Sequence, residues 1–347
     1  MRDGFRIVDA DGHVEPGIVA DWKRYVSGPQ GEAIERLAKA WYFPSAHGSS
    51  TQRGAWDPAG RLVDMDKEGI DVAVLFGSSK GVHVYTGDDA VLAPAVASAF
   101  NNWLHEYCGR DPARLKGAAW VPLDDIGEAC REARRAVAEL GAAGIVMHPY
   151  TKNFTLDSPY FFPLYEAAES LDSPILVHAT GQAGRFLQER YQSHFRTHSI
   201  AFPLSLMLSS MDAVCGGLLE RFKKLRIAFL EGGVGWIPWW LDRLDEHFEK
   251  LPQHVPFISE KPKDLVKRYI SEGRLFWTCE PEEQYLPMAV RELGEDFITY
   301  ASDYPHWDCA YPVSADLIIR REDLSQSAKG KILGDNALRL YGAAVRS

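Results

Sequence analysis

Cysteine is scarce in this chain and nowhere arranged for work. Cys108, Cys130, Cys215, Cys279 and Cys309 include no C-x-x-C pair and are odd in number, which argues against a disulfide framework and a thiolate zinc site. Positive charge is also in deficit: 38 Lys and Arg stand against 48 Asp and Glu, a formal net charge of -10. That balance disfavours nucleic acid and anionic membrane as partners. No run is read as long enough to span a membrane, and the first apolar segment, broken by Asp9 and Asp11, does not read as a signal peptide. Low-complexity tracts, linkers and internal repeats are missing too. The expectation is a cytoplasmic protein that meets a small molecule, with a homo-oligomer, a dimer, as the default assembly.

What the chain does have is apolar substance, 46% hydrophobic and 12% aromatic over 347 residues, enough for a large core. About eight β-rich runs bounded by turn residues recur along it, the number a closed parallel barrel requires. They are Phe5 to His13, Asp71 to Phe76, Leu115 to Pro122, Ala143 to His148, Pro174 to His178, Leu225 to Glu231, Arg274 to Cys279 and Phe297 to Asp303. Amphipathic patterns over Gly127 to Leu140, Tyr160 to Leu171 and Glu282 to Leu293 fall between them. Continuous apolar strands such as Ile175-Leu176-Val177 suit a sheet covered on both faces. The fold predicted is α/β, a (β/α)8 TIM barrel forming one domain over 1–347. Two stretches exceed ordinary connections: an insertion after strand one, 16–60, expected near the barrel mouth, and a long segment after strand five, 181–210.

Within this pattern the polar residues cluster at strand ends. Asp9, Asp11 and His13 alternate along the first strand, so strict pleating places all three on one face. Such a crowd of ligand atoms calls for a cation, although an isolated Asp-X-His is as readily a strand entering a polar loop. The C-terminal ends of later strands add His148, His178, Glu231, Glu280, and Asp303 with His306. Barrel enzymes build their sites on that rim. His178 reads as a core histidine or a ligand and Asp303 as a turn aspartate or a ligand; their company at one rim favours a nitrogen and oxygen site with Asp11 and His13, which leaves Asp9 a structural or supporting role. Glu231, before Gly232 and Gly233, reads either as a base acting on a bound water or as a residue that holds a ligand in place. Trp236 reads as a pocket wall or as helix packing; Arg185 and His198 are candidate contacts for an anionic substrate group, with surface placement the plainer reading of Arg185.

Taken together, Asp9-Ala-Asp11-Gly-His13, Ile175-Leu-Val-His178, Leu230-Glu231-Gly-Gly-Val-Gly-Trp236 and Ala301-Ser-Asp303-Tyr-Pro-His306 resemble the amidohydrolase superfamily, in its branch related to aminocarboxymuconate semialdehyde decarboxylase. The resemblance implies a metal-dependent barrel that hydrolyses, decarboxylates or hydrates small, often carboxylated compounds. By position it implies His13, His178 and Asp303 as ligands of one divalent metal, with Asp11 in place of the usual first histidine. Zinc is the first expectation and manganese the second, since Asp11 makes the set richer in oxygen. Glu231 stands where the family's decarboxylases carry a histidine, and an ionised carboxylate there would repel a substrate carboxylate. Hydrolysis through a metal-activated water, with Glu231, Asp303 and His306 as catalytic residues and His148, Arg185, His198 and Trp236 against the substrate, is therefore the leading expectation. Decarboxylation of an aromatic or ring-cleavage acid is the alternative, and a noncatalytic binding barrel the third.

Overall fold

A computed structural model describes residues 1–15, 20–41, 52–77, 91–149, 154–179 and 190–346. Its strands run β1 Val8–Val14, β2 Val72–Gly77, β3 Leu115–Gly117, β4 Ala119–Trp120, β5 Ile145–Met147, β6 Ile175–His178, β7 Ile227–Leu230, β8 Leu275–Cys279 and β9 Ile298–Tyr300. All pair in parallel with their sequence neighbours, in the orders β1-β2-β3 and β4-β5-β6-β7-β8-β9. Ala118 joins the two sets: its N–H bonds Leu75 while the next N–H, of Ala119, bonds Gly144, so β3 and β4 form one stave. The ring closes where Asp303 N–H meets the Asp11 carbonyl at 3.1 Å and His13 N–H meets that of Tyr304 at 2.7 Å. The chain is thus the expected (β/α)8 barrel. Most strand residues are buried, which is why parallel strands covered on both faces read as unbroken apolar runs.

The helices begin where the sequence supplies caps. Asp57 accepts from Ala59 and Gly60 ahead of Pro58–Glu68, and Asp125 accepts from Glu128 at the start of Ile126–Ala138. The pattern read from Glu282 becomes helical only over Leu286–Leu293, because the Glu283 carboxylate is turned toward the Val234 and Gly235 N–H groups instead. The insertion after β1 holds a helix, Gly28–Trp41. Its described parts lie partly on the outer helix Leu92–Cys108, where Tyr25 and Arg24 contact Glu106, and return to the strand end where Glu15 N–H bonds Ala55.

The absence of any spanning-length apolar run requires correction. The stretch His194–Arg221 is long and apolar enough by composition, with hydropathy 1.4, to cross a membrane. The helix His194–Cys215 within it buries Ala201, Phe202, Leu206, Ala213 and Val214 against the barrel, which accounts for the composition.

Candidate metal centre and active site

The first strand does not pleat regularly. Asp9 pairs with Ala73 and Gly12 with Leu75, so three steps of β1 oppose two of β2 and a bulge falls between them. This separates Asp9 from the other two polar residues. Asp9 turns into the barrel wall, accepting from Ser302 N at 2.9 Å, Ser302 Oγ at 2.6 Å and Asp11 N at 3.2 Å, with Arg61 Nη2 at 3.5 Å. Arg61, from helix Pro58–Glu68, is itself buried and donates to the carbonyls of His13 and Tyr304. It thereby ties β1 to the chain beyond β9. Gly12 permits this approach, since a Cβ there would lie 2.4 Å from Arg61 Nη2 and 2.8 Å from Asp9 Oδ2.

Asp11 and His13 instead meet residues from across the barrel. His13 Nε2 lies 3.2 Å from both Asp11 Oδ1 and Asp303 Oδ1, and His178 Nε2 lies 3.7 Å from Asp11 Oδ1 and 2.9 Å from Glu231 Oε2. Asp11, His13 and His178 form one group whose ligand atoms fall within 4.8 Å of one another; His13, Glu231, Asp303 and His306 form a second. His306 Nδ1 is hydrogen-bonded to Asp303 Oδ1 at 2.7 Å, and its ring stacks on His13 at 4.2 Å. Among the described residues, both Asp11 oxygens, both His13 nitrogens, His178 Nε2 and Glu231 Oε2 are buried without a hydrogen-bond partner. Buried polar atoms are rarely left so, and a divalent cation would satisfy this mixture of imidazole and carboxylate.

Two of the four non-glycine residues with positive φ among the described residues lie on this rim, the others being Asp3 and Asp172. Glu231 and Asp303 are non-glycine residues in the left-handed region, φ 61° and 52°, at the ends of β7 and β9. Such conformations cost about 1–3 kcal/mol each and persist where surroundings hold them. Here Thr278 Oγ1 accepts from Glu231 N at 2.8 Å, and Asp303 N bonds Asp11.

Burial dominates the electrostatics. It pushes the Asp11 carboxyl up, and pushes Glu231 well above the ordinary carboxyl value, with Asp303, Asp11 and Glu280 adding repulsion. Glu280 is raised well above normal by the same burial and by Asp303. His178 is driven well below its usual value by burial and by His13. His13 goes the other way, to about 10: burial opposes its charge, but Asp11 and Asp303 outweigh it. Burial likewise opposes ionisation of Asp303, yet His306 and His13 hold it below the usual range.

Above the cluster opens a cavity of about 340 Å³, lined by His198, Phe202 and Pro203 on one side and Glu231, Glu280, Asp303 and Asp308 on another. His198, a predicted substrate contact, therefore faces it, 3.9 Å from Asp308. His148 follows β5 at the rim, half-buried. Arg185 lies outside the described residues. Trp236 does not line this cavity: its indole N–H donates to the carbonyls of Gly232 and Gly233 at 2.9 and 3.0 Å, which tightens the turn after Glu231. Of the two readings of Trp236, packing is thus the one its contacts support. Asp308 escaped sequence reasoning, although its place two residues beyond His306 was a usable signal.

An amidohydrolase family profile matches residues 8–343, and the chain belongs to that family. Among curated relatives it is 25% identical over 290 residues, 83% of this chain and 77% of the relative, to 2-amino-3-carboxymuconate-6-semialdehyde decarboxylase of Dictyostelium discoideum. It is also 25% identical to gamma-resorcylate decarboxylase of a Polaromonas strain, over 81% of this chain and 86% of that one. Among solved structures, 5-carboxyvanillate decarboxylase of Sphingomonas paucimobilis superposes with a TM-score of 0.75 at 21% identity, covering 97% of this chain and 99% of that one. The corresponding enzyme of Novosphingobium aromaticivorans, solved with manganese and 4-hydroxy-3-methoxy-5-nitrobenzoic acid, gives 0.74 at 21% identity over 98% of this chain and 97% of that one.

Proposed function

We propose that this protein is a metal-dependent carboxy-lyase that decarboxylates a small aromatic or ring-cleavage acid, the alternative rather than the leading expectation from sequence. The observation that supports the reading is that His13 belongs to two clusters of ligand-type atoms, one with Asp11 and His178 and one with Glu231, Asp303 and His306, that Asp303 and Glu231 line the cavity, and that the Asp11, His13 and His178 ligand atoms are buried without a hydrogen-bond partner among the described residues. The decarboxylase identity of several relatives favours this reaction over hydrolysis. Asp11, His13, His178 and Asp303 would hold one divalent ion, manganese in preference to zinc given the two carboxylates. When bound, the ion supplies the positive charge that fixes a substrate carboxylate and draws electron density from the neighbouring carbon.

The protein's own groups supply the rest. Asp303 faces the cavity and is hydrogen-bonded to His306, so a proton on the imidazole can be passed toward substrate through the carboxylate. The carbon bearing the carboxylate takes that proton, the bond to the carboxylate breaks, carbon dioxide leaves, and the released electron pair restores conjugation. Phe202 and Pro203 limit water on one side, while His198 and Asp308 offer polar contacts to the substrate's far end. The single domain over 1–347, His148 and Arg185 as further substrate contacts, and a dimeric assembly belong to the same proposal.

The test is carbon dioxide release from manganese-loaded full-length protein offered hydroxybenzoic acids, carboxyvanillate and aminocarboxymuconate semialdehyde. Release from at least one acid, abolished by chelation and by Asp303→Asn, is expected. Cleavage of esters or amides with no carbon dioxide from any acid would reject the reading.

A further inference from the structure

Glu231 is placed differently from the base, or the residue holding a ligand in place, that its position in the sequence suggests. We propose that Glu231 Oε2 is a direct ligand of the same ion, beside Asp11, His13, His178 and Asp303; this rests on the metal reading above. Glu231 Oε2 and His178 Nε2 stand 2.9 Å apart, yet both are buried and neither hydrogen-bonds the other. A carboxylate and an imidazole at that separation normally share a proton along the line between them. When they do not, their lone pairs point at something else.

The same signature recurs around the cluster. His13 Nε2 and Asp11 Oδ1, 3.2 Å apart, also fail to bond each other. Ligands about 2.1 Å from a shared ion stand roughly 3.0–3.4 Å from one another at octahedral and tetrahedral angles. The Glu231–His178 separation of 2.9 Å matches the octahedral edge, and that of Asp11 and His13 lies between the two. Glu231 also shares with Asp303 the left-handed backbone, φ 61° beside 52°, so both strand ends are bent in the same unusual way. Its backbone N–H is held by Thr278, and the following turn by Trp236. Two histidines and three carboxylates form an oxygen-rich set that favours manganese over zinc more strongly than four ligands would. A ligating Glu231 is not available to carry the proton, which leaves that task to Asp303 and His306.

The inference is tested by titrating metal-stripped full-length protein, wild type and Glu231→Gln, with manganese followed by the electron spin resonance of the free ion, and with zinc against a chromophoric chelator. Glutamine keeps the size of the side chain and an oxygen that can accept from His178, so a purely positioning role would survive it. Expected is a manganese affinity about a hundredfold weaker in Glu231→Gln, at least about tenfold more than any loss for zinc. Equal losses for the two metals, or manganese affinity within about threefold of wild type, would overturn the proposal. Glu231→Asp, which keeps the charge, serves if the first variant misfolds, and is expected to bind manganese with an intermediate loss; an unchanged affinity counts against ligation. Wild-type protein that binds neither metal stoichiometrically would remove the metal reading itself, a failure distinct from a wild type that binds and a variant that does not change.

Discussion

Replacing Ser302 by alanine removes one hydroxyl from a node that connects the first and last staves of the barrel. Ser302 Oγ donates to Asp9 Oδ2 at 2.6 Å and accepts from Tyr304 N at 3.1 Å, and both Ser302 and Asp9 are buried. Loss of a hydrogen bond to a charged group costs about 1.5–3 kcal/mol, and a stranded buried N–H adds about 1 kcal/mol or more. Together these give about 2.5–4 kcal/mol. With an unfolding entropy near 2.1 cal/mol/K per residue, a chain of 347 residues has about 0.7 kcal/mol/K, so the midpoint should fall by about 4–6 °C. Differential scanning calorimetry at one scan rate measures it. Ser271→Ala, which removes an exposed hydroxyl bonded to the Arg268 carbonyl, should shift the midpoint by less than about 1 °C. Equal, small shifts in both variants would refute the view that Asp9 is a structural carboxylate braced by Ser302.

Gly12→Ala places a methyl 2.4 Å from Arg61 Nη2 and 3.0 Å from Leu75 Cδ2, and should cost about 1–3 kcal/mol by equilibrium denaturation in urea. Trp236→Phe removes the hydrogen bonds to Gly232 and Gly233; kcat should fall with KM nearly constant, whereas a rise in KM alone would restore Trp236 as a pocket wall. Burial pushes Asp212 up to about 6, against an ordinary value of 3.8. The folded state therefore keeps a proton that the unfolded chain releases, so stability falls as pH rises from about 4 to 6. Discounted for partial solvent screening, the loss is about 1–2 kcal/mol, and it should vanish in Asp212→Asn when urea midpoints are compared across that range.

The barrel was legible because its strands are buried on both faces and so leave unbroken apolar runs, Ile227 to Leu230 being typical. His13, His178 and Asp303 were legible because a strand end followed by a turn puts a polar residue at the rim. That Asp9 stands apart from the ligands was expected from sequence, but what holds it was not: the bulge before Gly12 breaks the alternation, and its partner Arg61 comes from a helix distant in sequence. Glu283 delayed its helix for a similar reason, since its carboxylate serves N–H groups of another turn. The ligand-like posture of Glu231 depends on angles between side chains, which no residue pattern carries.

The central claim is that this site removes a carboxylate and protonates the carbon left behind. Mass spectrometry of the product formed by manganese-loaded enzyme in deuterated water tests it most directly. The account predicts one deuterium at the carbon that lost its carboxylate, with one carbon dioxide per substrate consumed. A product that keeps its carboxylate and, in oxygen-labelled water, gains solvent oxygen at a cleaved bond would contradict it and mark a hydrolase.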